Sequence, residues 1–297
     1  MQPQPLMTVR SLFRSELIGI GDVRVEPGVV GSTSPEVMDN NAIAMPLRGV
    51  FASHFSRRRV CVTTPNDAVL LGAGVPHHYS FPGGVGDHSL VLRWSAEALG
   101  SCCPQITGGD LRDALQFASQ VSLPPRVIVE RELLWRQAAS GTGDPLAVEV
   151  RAVELLACIL GAARRSVPRR VARRRGSLDR QRRQVERIKA AVAADPGRRW
   201  SLDLLARLVA ASPFHLARTF KAHTGVSIHE YVVRMRLACC LPTVLDSNDG
   251  LTDIALRAGF ASHSHFTENF RARFDVTPSE LRRHARNRVL RAVLAAH

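Results

Sequence analysis

A short pattern that occurs twice in the last third of the chain limits its fold more than any other feature. In each copy a short apolar segment ends at a tight break, and a serine then begins a second segment whose large apolar residues lie four apart. The two serines, Ser212 and Ser262, are 50 residues apart, and serine is a favourable N-cap. The stretch 227–246 separates the copies and has helical character. This arrangement predicts two pairs of short helices joined by one longer helix.

Two short helices joined by a tight turn are the helix-turn-helix unit, whose second helix enters the major groove of DNA. A single match is weak evidence because helical hairpins are common. Two matches at a fixed separation are stronger, since a rigid connecting helix can hold both second helices roughly 34 Å apart, which is one turn of DNA. Gly225 is expected to end the first recognition helix, and Gly259 is expected to need a positive φ in the second turn.

The net charge of the chain lies in the same region as the repeated pattern. Residues 1–165 hold 15 basic and 15 acidic side chains, whereas residues 166–297 hold 25 basic and 11 acidic ones, so the whole formal charge of +14 lies in the C-terminal part. Basic charge confined to one segment is typical of a surface that binds a polyanion. We therefore expect double-stranded DNA as the partner, with an anionic membrane as a weaker alternative.

The cellular context follows from what the sequence lacks. No apolar run approaches the roughly 18 residues of a membrane span, and the first residues do not have the pattern of a signal peptide. Six cysteines without regular spacing do not indicate a disulfide framework. The sequence therefore predicts a cytoplasmic protein that does not associate with a membrane.

The residues of the repeated pattern resemble the signature of the AraC/XylS family of transcription regulators over about 200–283. The resemblance implies a seven-helix DNA-binding domain, placed at 180–297, which reads two successive major-groove segments. The matching residues of the first unit are Leu205, Ala206, Ser212, Leu216, Arg218, Phe220, Lys221, Gly225, Tyr231 and Arg236. Those of the second unit are Ile254, Ala255, Gly259, Phe260, Ser264, Phe266, Phe270, Thr277, Pro278 and Arg282.

The resemblance also indicates which side chains face DNA. It places Phe214, Ala217 and Arg218 opposite the bases, where arginine suits guanine and apolar groups suit the thymine methyl. Arg218 has two alternative roles, a phosphate contact or a salt bridge within the domain. The full set of predicted DNA contacts is Ser212, Phe214, His215, Ala217, Arg218, Lys221, Ser262, His263, Ser264, Thr267, Glu268 and Arg271.

Three positions depart from the pattern of the family. Glu268 stands where arginine is common, so it either accepts from a cytosine amine or weakens this half of the interaction. Asp275 replaces the usual glycine before Pro278. Pro242 lies within the connecting helix, where a kink would alter the spacing of the two recognition helices.

The N-terminal half has the pattern of a β-rich domain. Short apolar runs between 20 and 95 alternate with turn residues, which predicts a barrel or a sandwich. Residues 66–77 resemble the second motif of a cupin barrel and end at His77, but the first motif is absent, so we expect neither a metal nor another cofactor. Residues 1–109 are therefore assigned to a cupin-like domain that binds an unknown small-molecule effector, with His54, His77 and Trp94 as the candidate effector-binding residues.

Residues 110–165 are predicted to be helical and to pair two subunits. Between Asp144 and Arg165 an apolar stripe is formed by Leu146, Val150, Val153, Ala157 and Leu160. Such a stripe is buried either under the N-terminal domain or against a second copy of the chain. Residues 166–179, which contain five arginines, a proline and a glycine, are interpreted as a linker.

The resulting fold class is α+β, with an N-terminal cupin-like β-barrel flanked by helices and a C-terminal all-α domain. The expected function is a ligand-responsive transcription regulator, a homodimer that contacts RNA polymerase if it is an activator. No nucleophile–base pair, phosphate loop or usable carboxylate pair indicates an enzyme. Two alternatives remain: a cupin metalloenzyme with a DNA-binding tail, and an architectural DNA binder that needs no ligand.

Overall fold

A computed structural model of the chain describes residues 7–56, 59–102, 120–141, 144–166 and 175–286. The chain divides into an N-terminal unit, residues 1–194, and a C-terminal unit, residues 195–297. Within the described ranges, every helix falls short of the length and apolarity that crossing a lipid bilayer requires.

The N-terminal unit contains nine described strands in two sheets. Their bounds are β1 Thr8–Arg14, β2 Ile18–Val25, β3 Asn41–Gly49, β4 Phe51–Ser56, β5 Arg59–Thr63, β6 Asp67–Leu71, β7 His78–Ser80, β8 Asp87–Trp94 and β9 Gln120–Ser122. The order β1-β2-β8-β3-β6-β9 forms one sheet, and the order β5-β4-β7 forms the other. The described strands thus form two separate sheets and not the single closed barrel that the sequence predicted.

The two sheets enclose an apolar core because their strands alternate side chains between two faces. Inward residues from both sheets pack together as one cluster, whose fully buried members are Val23, Val25, Ala42, Ala44, Phe51, Val69, Leu71, Phe81 and Val91. This cluster lies beside the cavity described below.

Four described helices complete the N-terminal unit: α1 Ala96–Cys102, α2 Pro125–Ser140, α3 Pro145–Ser166 and α4 Arg175–Ala194. Helix α3 begins at Pro145, and the amide of Leu146 donates to the Asp144 carboxylate at 3.1 Å. Its buried face differs from the predicted stripe and consists of Val148, Ala152, Leu155, Leu156, Ile159, Leu160, Ala162 and Ala163.

The predicted stripe on α3 therefore lies mostly outside the core of its own chain. Leu146 is 64% exposed and Val150 is 41% exposed, and only Leu160 of the five residues is buried. Two adjacent apolar faces occur on this helix, and the sequence pattern alone did not reveal which one packs inside the chain. The face formed by Leu146, Val150, Val153 and Ala157 is called the outer face of α3 below.

Helix α4 changes the predicted domain boundary. The sequence placed a linker at 166–179 and began the DNA-binding domain at residue 180, whereas α4 runs from Arg175 to Ala194 within the N-terminal unit. The reason is tertiary packing of α4 on strand β5, where Glu186 Oε2 accepts the amide hydrogen of Val62 at 2.7 Å. Most of the predicted linker, 167–174, lies outside the described residues, as does 110–119 of the predicted dimerisation region.

The C-terminal unit contains six helices among its described residues, one fewer than the seven that the resemblance implied for 180–297, and α4 overlaps the start of that range from the N-terminal unit. The six are α5 Leu202–Leu208, α6 Pro213–Thr224, α7 Ile228–Asp246, α8 Leu251–Arg257, α9 His263–Phe274 and α10 Pro278–Arg286. The two predicted pairs of short helices are α5 with α6 and α8 with α9, and α7 connects them.

Candidate DNA-binding surface

Each pair of short helices is joined by the same backbone turn. The carbonyl of Ala206 accepts the amide hydrogen of Ala211 at 3.0 Å, and the carbonyl of Ala255 accepts that of Phe260 at 3.0 Å. Both turns contain one residue with positive φ, Ala210 at 51° in the first and Gly259 at 86° in the second. The prediction that Gly259 needs a positive φ is confirmed, whereas Ala210 adopts this conformation with a side chain present.

Serine side chains fix the start of both recognition helices. Ser212 Oγ accepts the amide hydrogen of His215 at 3.3 Å, and Ser262 Oγ accepts that of His265 at 3.1 Å. Gly225 ends α6 with φ of 79°, and Asp275 ends α9 with φ of 61°. Asp275 thus takes the left-handed conformation that usually favours glycine, because a short polar side chain tolerates it better than a branched one.

The inner faces of the recognition helices are apolar and buried, as predicted. Leu216 and Phe220 are almost fully buried in α6, and the ring of Phe220 meets that of Tyr231 edge to face at 5.3 Å. In α9 the rings of Phe266 and Phe270 lie 5.5 Å apart and continue an aromatic row. The Phe220–Tyr231 contact holds α6 to α7, the aromatic row lies within α9, and the opposite faces of both helices remain available.

The opposite faces carry the residues predicted to contact DNA. Phe214 is 79% exposed, which is unusual for an aromatic side chain unless a partner covers it. His215, Ala217 and Thr267 are half-buried. The other predicted contacts are exposed, namely Ser212, Arg218, Lys221, Ser262, His263, Ser264, Glu268 and Arg271.

The charged side chains at the centre of these faces are not engaged within the domain. Arg218 and Glu268 occupy equivalent positions in α6 and α9, six residues after the capping serine. Neither side chain forms a hydrogen bond or an ion pair with any other part of the chain that the structure describes. The alternative of an intradomain salt bridge for Arg218 is therefore not supported in these residues.

Arg236 connects the turn between α8 and α9 to the first residues of the C-terminal unit. Its guanidinium donates three hydrogen bonds to carbonyl oxygens, to Pro196 at 2.9 Å, Arg198 at 2.9 Å and Gly259 at 2.8 Å. Burial lowers the pKa of this arginine. The family resemblance included Arg236 but gave it no role. In the structure this side chain holds the turn before α9 in place.

The connecting helix α7 continues through Pro242 to Asp246. Its 19 residues correspond to about 28 Å of helix, comparable to one turn of DNA. Ser227 Oγ accepts the amide hydrogen of Glu230 at 3.1 Å and fixes the start of the helix. At the other end Arg282 Nε donates to the carbonyl of Val244 at 2.9 Å, so α10 holds the last turn of α7.

The three predicted effector-binding residues do not line one cavity. His54 stacks on His78 at 4.5 Å and contacts Ser80, and burial together with His78 lowers its pKa. His77 is buried, and its Nδ1 donates to the carbonyl of Val75 at 2.9 Å. Trp94 borders a separate cleft beside β1 and β2.

The same part of the chain offers no cluster of metal ligands. No group of three or more His, Cys, Asp or Glu side chains converges among the described residues.

Comparison with known proteins locates the likeness in the C-terminal unit. Residues 205–284 match a family of helix-turn-helix domains. Over 81 residues the chain is 35% identical to the probable transcription factor PqrA of Proteus vulgaris, which covers 27% of this chain and 66% of that protein. Over 82 residues it is 30% identical to the bifunctional transcriptional activator/DNA repair enzyme AdaA of Bacillus subtilis, which covers 28% of this chain and 39% of that protein.

A solved structure is also similar to part of the chain. It is a transcriptional regulator with an AraC-type DNA-binding domain from Chromobacterium violaceum, with 26% identity and a TM-score of 0.34, covering 35% of this chain and 93% of that one. The chain thus spans less than two thirds of the length of the curated relatives described above.

Proposed function

We infer from the AraC-type helix-turn-helix domain at residues 205–284 that this chain is a ligand-responsive transcription regulator that binds specific sequences in double-stranded DNA. The observation that carries the proposal is the repeated geometry of α6 and α9. Both helices are capped by serine, follow the same turn and expose the face opposite their buried aromatic residues. One polypeptide would then contact two successive major grooves.

The outer face of α6 supplies groups that suit base recognition. Arg218 has a free guanidinium, which can bind guanine O6 and N7 together, and Phe214 and Ala217 offer apolar contacts for a thymine methyl. On α9, Arg271 lies near the end of the exposed face and suits a phosphate.

Replacing Arg218 by alanine should weaken binding to the preferred DNA sequence by about 1–3 kcal/mol and relax selectivity at one base pair. Replacing Arg271 should instead weaken binding to preferred and scrambled DNA alike, because a phosphate contact carries no sequence information. The measurement is binding of the full chain to a sequence selected from a random pool and to its scrambled form. If Arg218→Ala loses the same affinity for both DNAs, Arg218 contacts a phosphate and not a base.

Replacing Glu268 by arginine should strengthen binding to DNA of any sequence and alter the base preference, because a carboxylate near phosphates becomes a cation. Glu26→Arg is the matched control, since it makes the same charge change at an exposed site in the N-terminal unit. Affinity and selected sequence should be compared for both variants. If Glu268→Arg behaves like the control, Glu268 does not face DNA.

The outer face of α3 supports a homodimer as the functional form. Val150 is 41% exposed and Leu146 is 64% exposed, so a second copy would cover apolar surface that this chain leaves open. A dimer would increase affinity for paired DNA sites through effective concentration.

Replacing Val150 by aspartate should give a folded monomer in sedimentation with reduced affinity for paired sites. The side chain is partly exposed, so the charge has little cost in the single chain but a high cost in an interface. Val148→Asp is the contrasting variant, because Val148 is 4% exposed and a charge there should unfold the unit. A wild-type chain that is monomeric at micromolar concentration, with and without DNA, would remove the dimer from the proposal.

The N-terminal unit is proposed to bind the effector, and the whole protein is proposed to act in the cytoplasm and, if it is an activator, to contact RNA polymerase. We do not assign an enzymatic activity, because the likeness to AdaA covers 28% of this chain and 39% of that protein. We also propose that the two sheets together form a cupin-like domain. DNA binding that no metabolite changes would instead favour the architectural alternative.

A further inference from the structure

A cavity lies between the two sheets of the N-terminal unit, and none of the three residues that the sequence suggested for an effector lines it. The cavity encloses about 60 Å³, and the space reaches about 490 Å³ when its open mouth is included. Most of its wall is apolar, formed by Met7, Val9, Val23, Met38, Ala44, Phe51, Leu71, Phe81 and Val91. An apolar wall with a few polar groups is typical of a ligand site.

Strand β8 supplies most of the polar part of this wall. Alternate residues of a strand point to one face, and the face that lines the cavity carries Asp87, Ser89, Val91 and Arg93. The opposite face carries Leu90, Leu92 and Trp94, which are buried. The strand thus directs its polar face to the cavity and its apolar face to the other side of the sheet.

The guanidinium of Arg93 is half-buried and has no counter-ion. In the described part of the chain it forms neither a hydrogen bond nor an ion pair with another side chain. Gly21 on the adjacent strand leaves it room, since a Cβ at that position would lie 2.9 Å from Nη1. A partly desolvated cation that lacks an anion is costly, so the cavity favours a ligand that brings one.

Two other polar groups in the wall are neutral hydrogen-bonding groups near pH 7. Burial raises the pKa of Asp87 to about 8, although Ser89 donates to both of its oxygens, at 2.9 and 3.1 Å. Burial, with a smaller contribution from Glu36, raises the pKa of Tyr79, and Arg93 opposes that shift. Glu36 is the remaining ionisable residue of the wall, and its carboxylate lies 3.4 Å from His77 Nε2.

We propose that this cavity binds a small monocarboxylate whose apolar body lies against the two sheets and whose carboxylate pairs with Arg93. The carboxylate supplies the missing counter-ion. Charge-assisted hydrogen bonds of this kind are stronger than neutral ones. The inference adds a ligand class to the proposed function. The regulatory meaning of this binding rests on the proposed function, whereas the binding itself does not.

The test uses three probes with one carbon skeleton: hexanoate, hexan-1-ol and hexylamine. Their binding to the full chain is measured by calorimetry and by the shift in melting temperature. We expect hexanoate to bind more tightly than the alcohol and the amine to bind least. In Arg93→Gln the preference for hexanoate over hexan-1-ol should fall about 10- to 100-fold, the size expected for loss of a charge-assisted hydrogen bond. Arg48→Gln, an exposed position on β3 outside the cavity wall, should leave the preference unchanged.

A pH series separates a direct role of the cavity from a general loss of fold. Affinity for hexanoate should fall above about pH 8 in the wild-type chain, because ionised Asp87 would repel the carboxylate. Asp87→Asn should bind hexanoate at pH 7 and should not show this fall. The other ionisable groups that face Asp87 do not account for this difference. Tyr79 keeps its proton through this pH range, and Glu36 and Arg93 are present in both the wild-type chain and Asp87→Asn.

The proposal is overturned if hexanoate and hexan-1-ol bind equally, if Arg93→Gln keeps the preference, or if no straight-chain acid of four to ten carbons binds at millimolar concentration. DNA binding by the same preparations is measured in parallel. A chain that binds specific DNA but no carboxylate leaves the proposed function intact and removes only this inference.

Discussion

Replacing Lys189 by methionine is expected to lower the free energy of unfolding of the N-terminal unit by about 3–5 kcal/mol, the cost of removing one partner of a buried ion pair. The ammonium of Lys189 is buried, 3.4 Å from Asp67 and 3.7 Å from Glu186. Burial alone would lower the pKa of this lysine, but the two carboxylates outweigh burial and raise it. Without the ammonium, the buried Asp67 carboxylate and the partly buried Glu186 carboxylate have no cation between them.

A neutral triple variant, Asp67→Asn with Glu186→Gln and Lys189→Met, is the control for this prediction. It removes all three charges together, so it should recover much of the lost stability, since apolar or neutral replacements of a whole ion pair are often tolerated. Unfolding of the full chain in urea, followed by circular dichroism, gives both values. A loss below about 1 kcal/mol for Lys189→Met alone would mean that the ammonium is hydrated and that α4 is not fixed to the sheet through it.

Replacing Gly259 by alanine is expected to destabilise the C-terminal unit by about 2–5 kcal/mol, from a non-glycine residue at positive φ and from overpacking. Gly259 has φ of 86°, and an added Cβ would lie 2.6 Å from the carbonyl oxygen of Gly197 and 3.0 Å from Arg236 Cζ. The substitution must therefore displace both the backbone and the guanidinium that holds this turn. DNA affinity should fall with stability, because α9 follows the turn directly.

Ala210 provides the matched control in the first turn. It has φ of 51° with a side chain present, so Ala210→Gly should stabilise the unit by up to about 1 kcal/mol. Hydrogen exchange of the full chain, measured peptide by peptide, would locate the effects at α8–α9 and α5–α6 respectively. Normal protection of α8 and α9 in Gly259→Ala would contradict the close approach of Gly197 and Arg236.

The helix-turn-helix units were predictable because their determinants are local. A capping serine, a turn residue with positive φ and large apolar residues four apart are visible in the sequence, and Ser212, Gly259 and Phe266 have the expected conformations or burial. Helix and turn boundaries follow from such short-range interactions.

The parts that could not be predicted depend on contacts between distant segments. Helix α3 carries two adjacent apolar faces, and only packing decides that Val148 is buried while Val150 is exposed. Helix α4 has the basic composition of a DNA-binding segment, yet Lys189 pairs with Asp67 more than 120 residues away in the chain. Arg93 was overlooked because a polar residue that alternates with apolar ones on a strand usually faces solvent.

The central claim is that one polypeptide places α6 and α9 in two successive major grooves. It is tested most directly by footprinting the full chain on its preferred DNA, with the number of bound subunits determined by sedimentation. The account predicts two protected major-groove segments for each subunit, on one face of the duplex and about 10 base pairs apart. Arg218→Ala should remove selectivity in one segment, and substitutions in α9 should affect only the other. A single protected segment for each subunit, or protection that does not depend on sequence, would contradict the account.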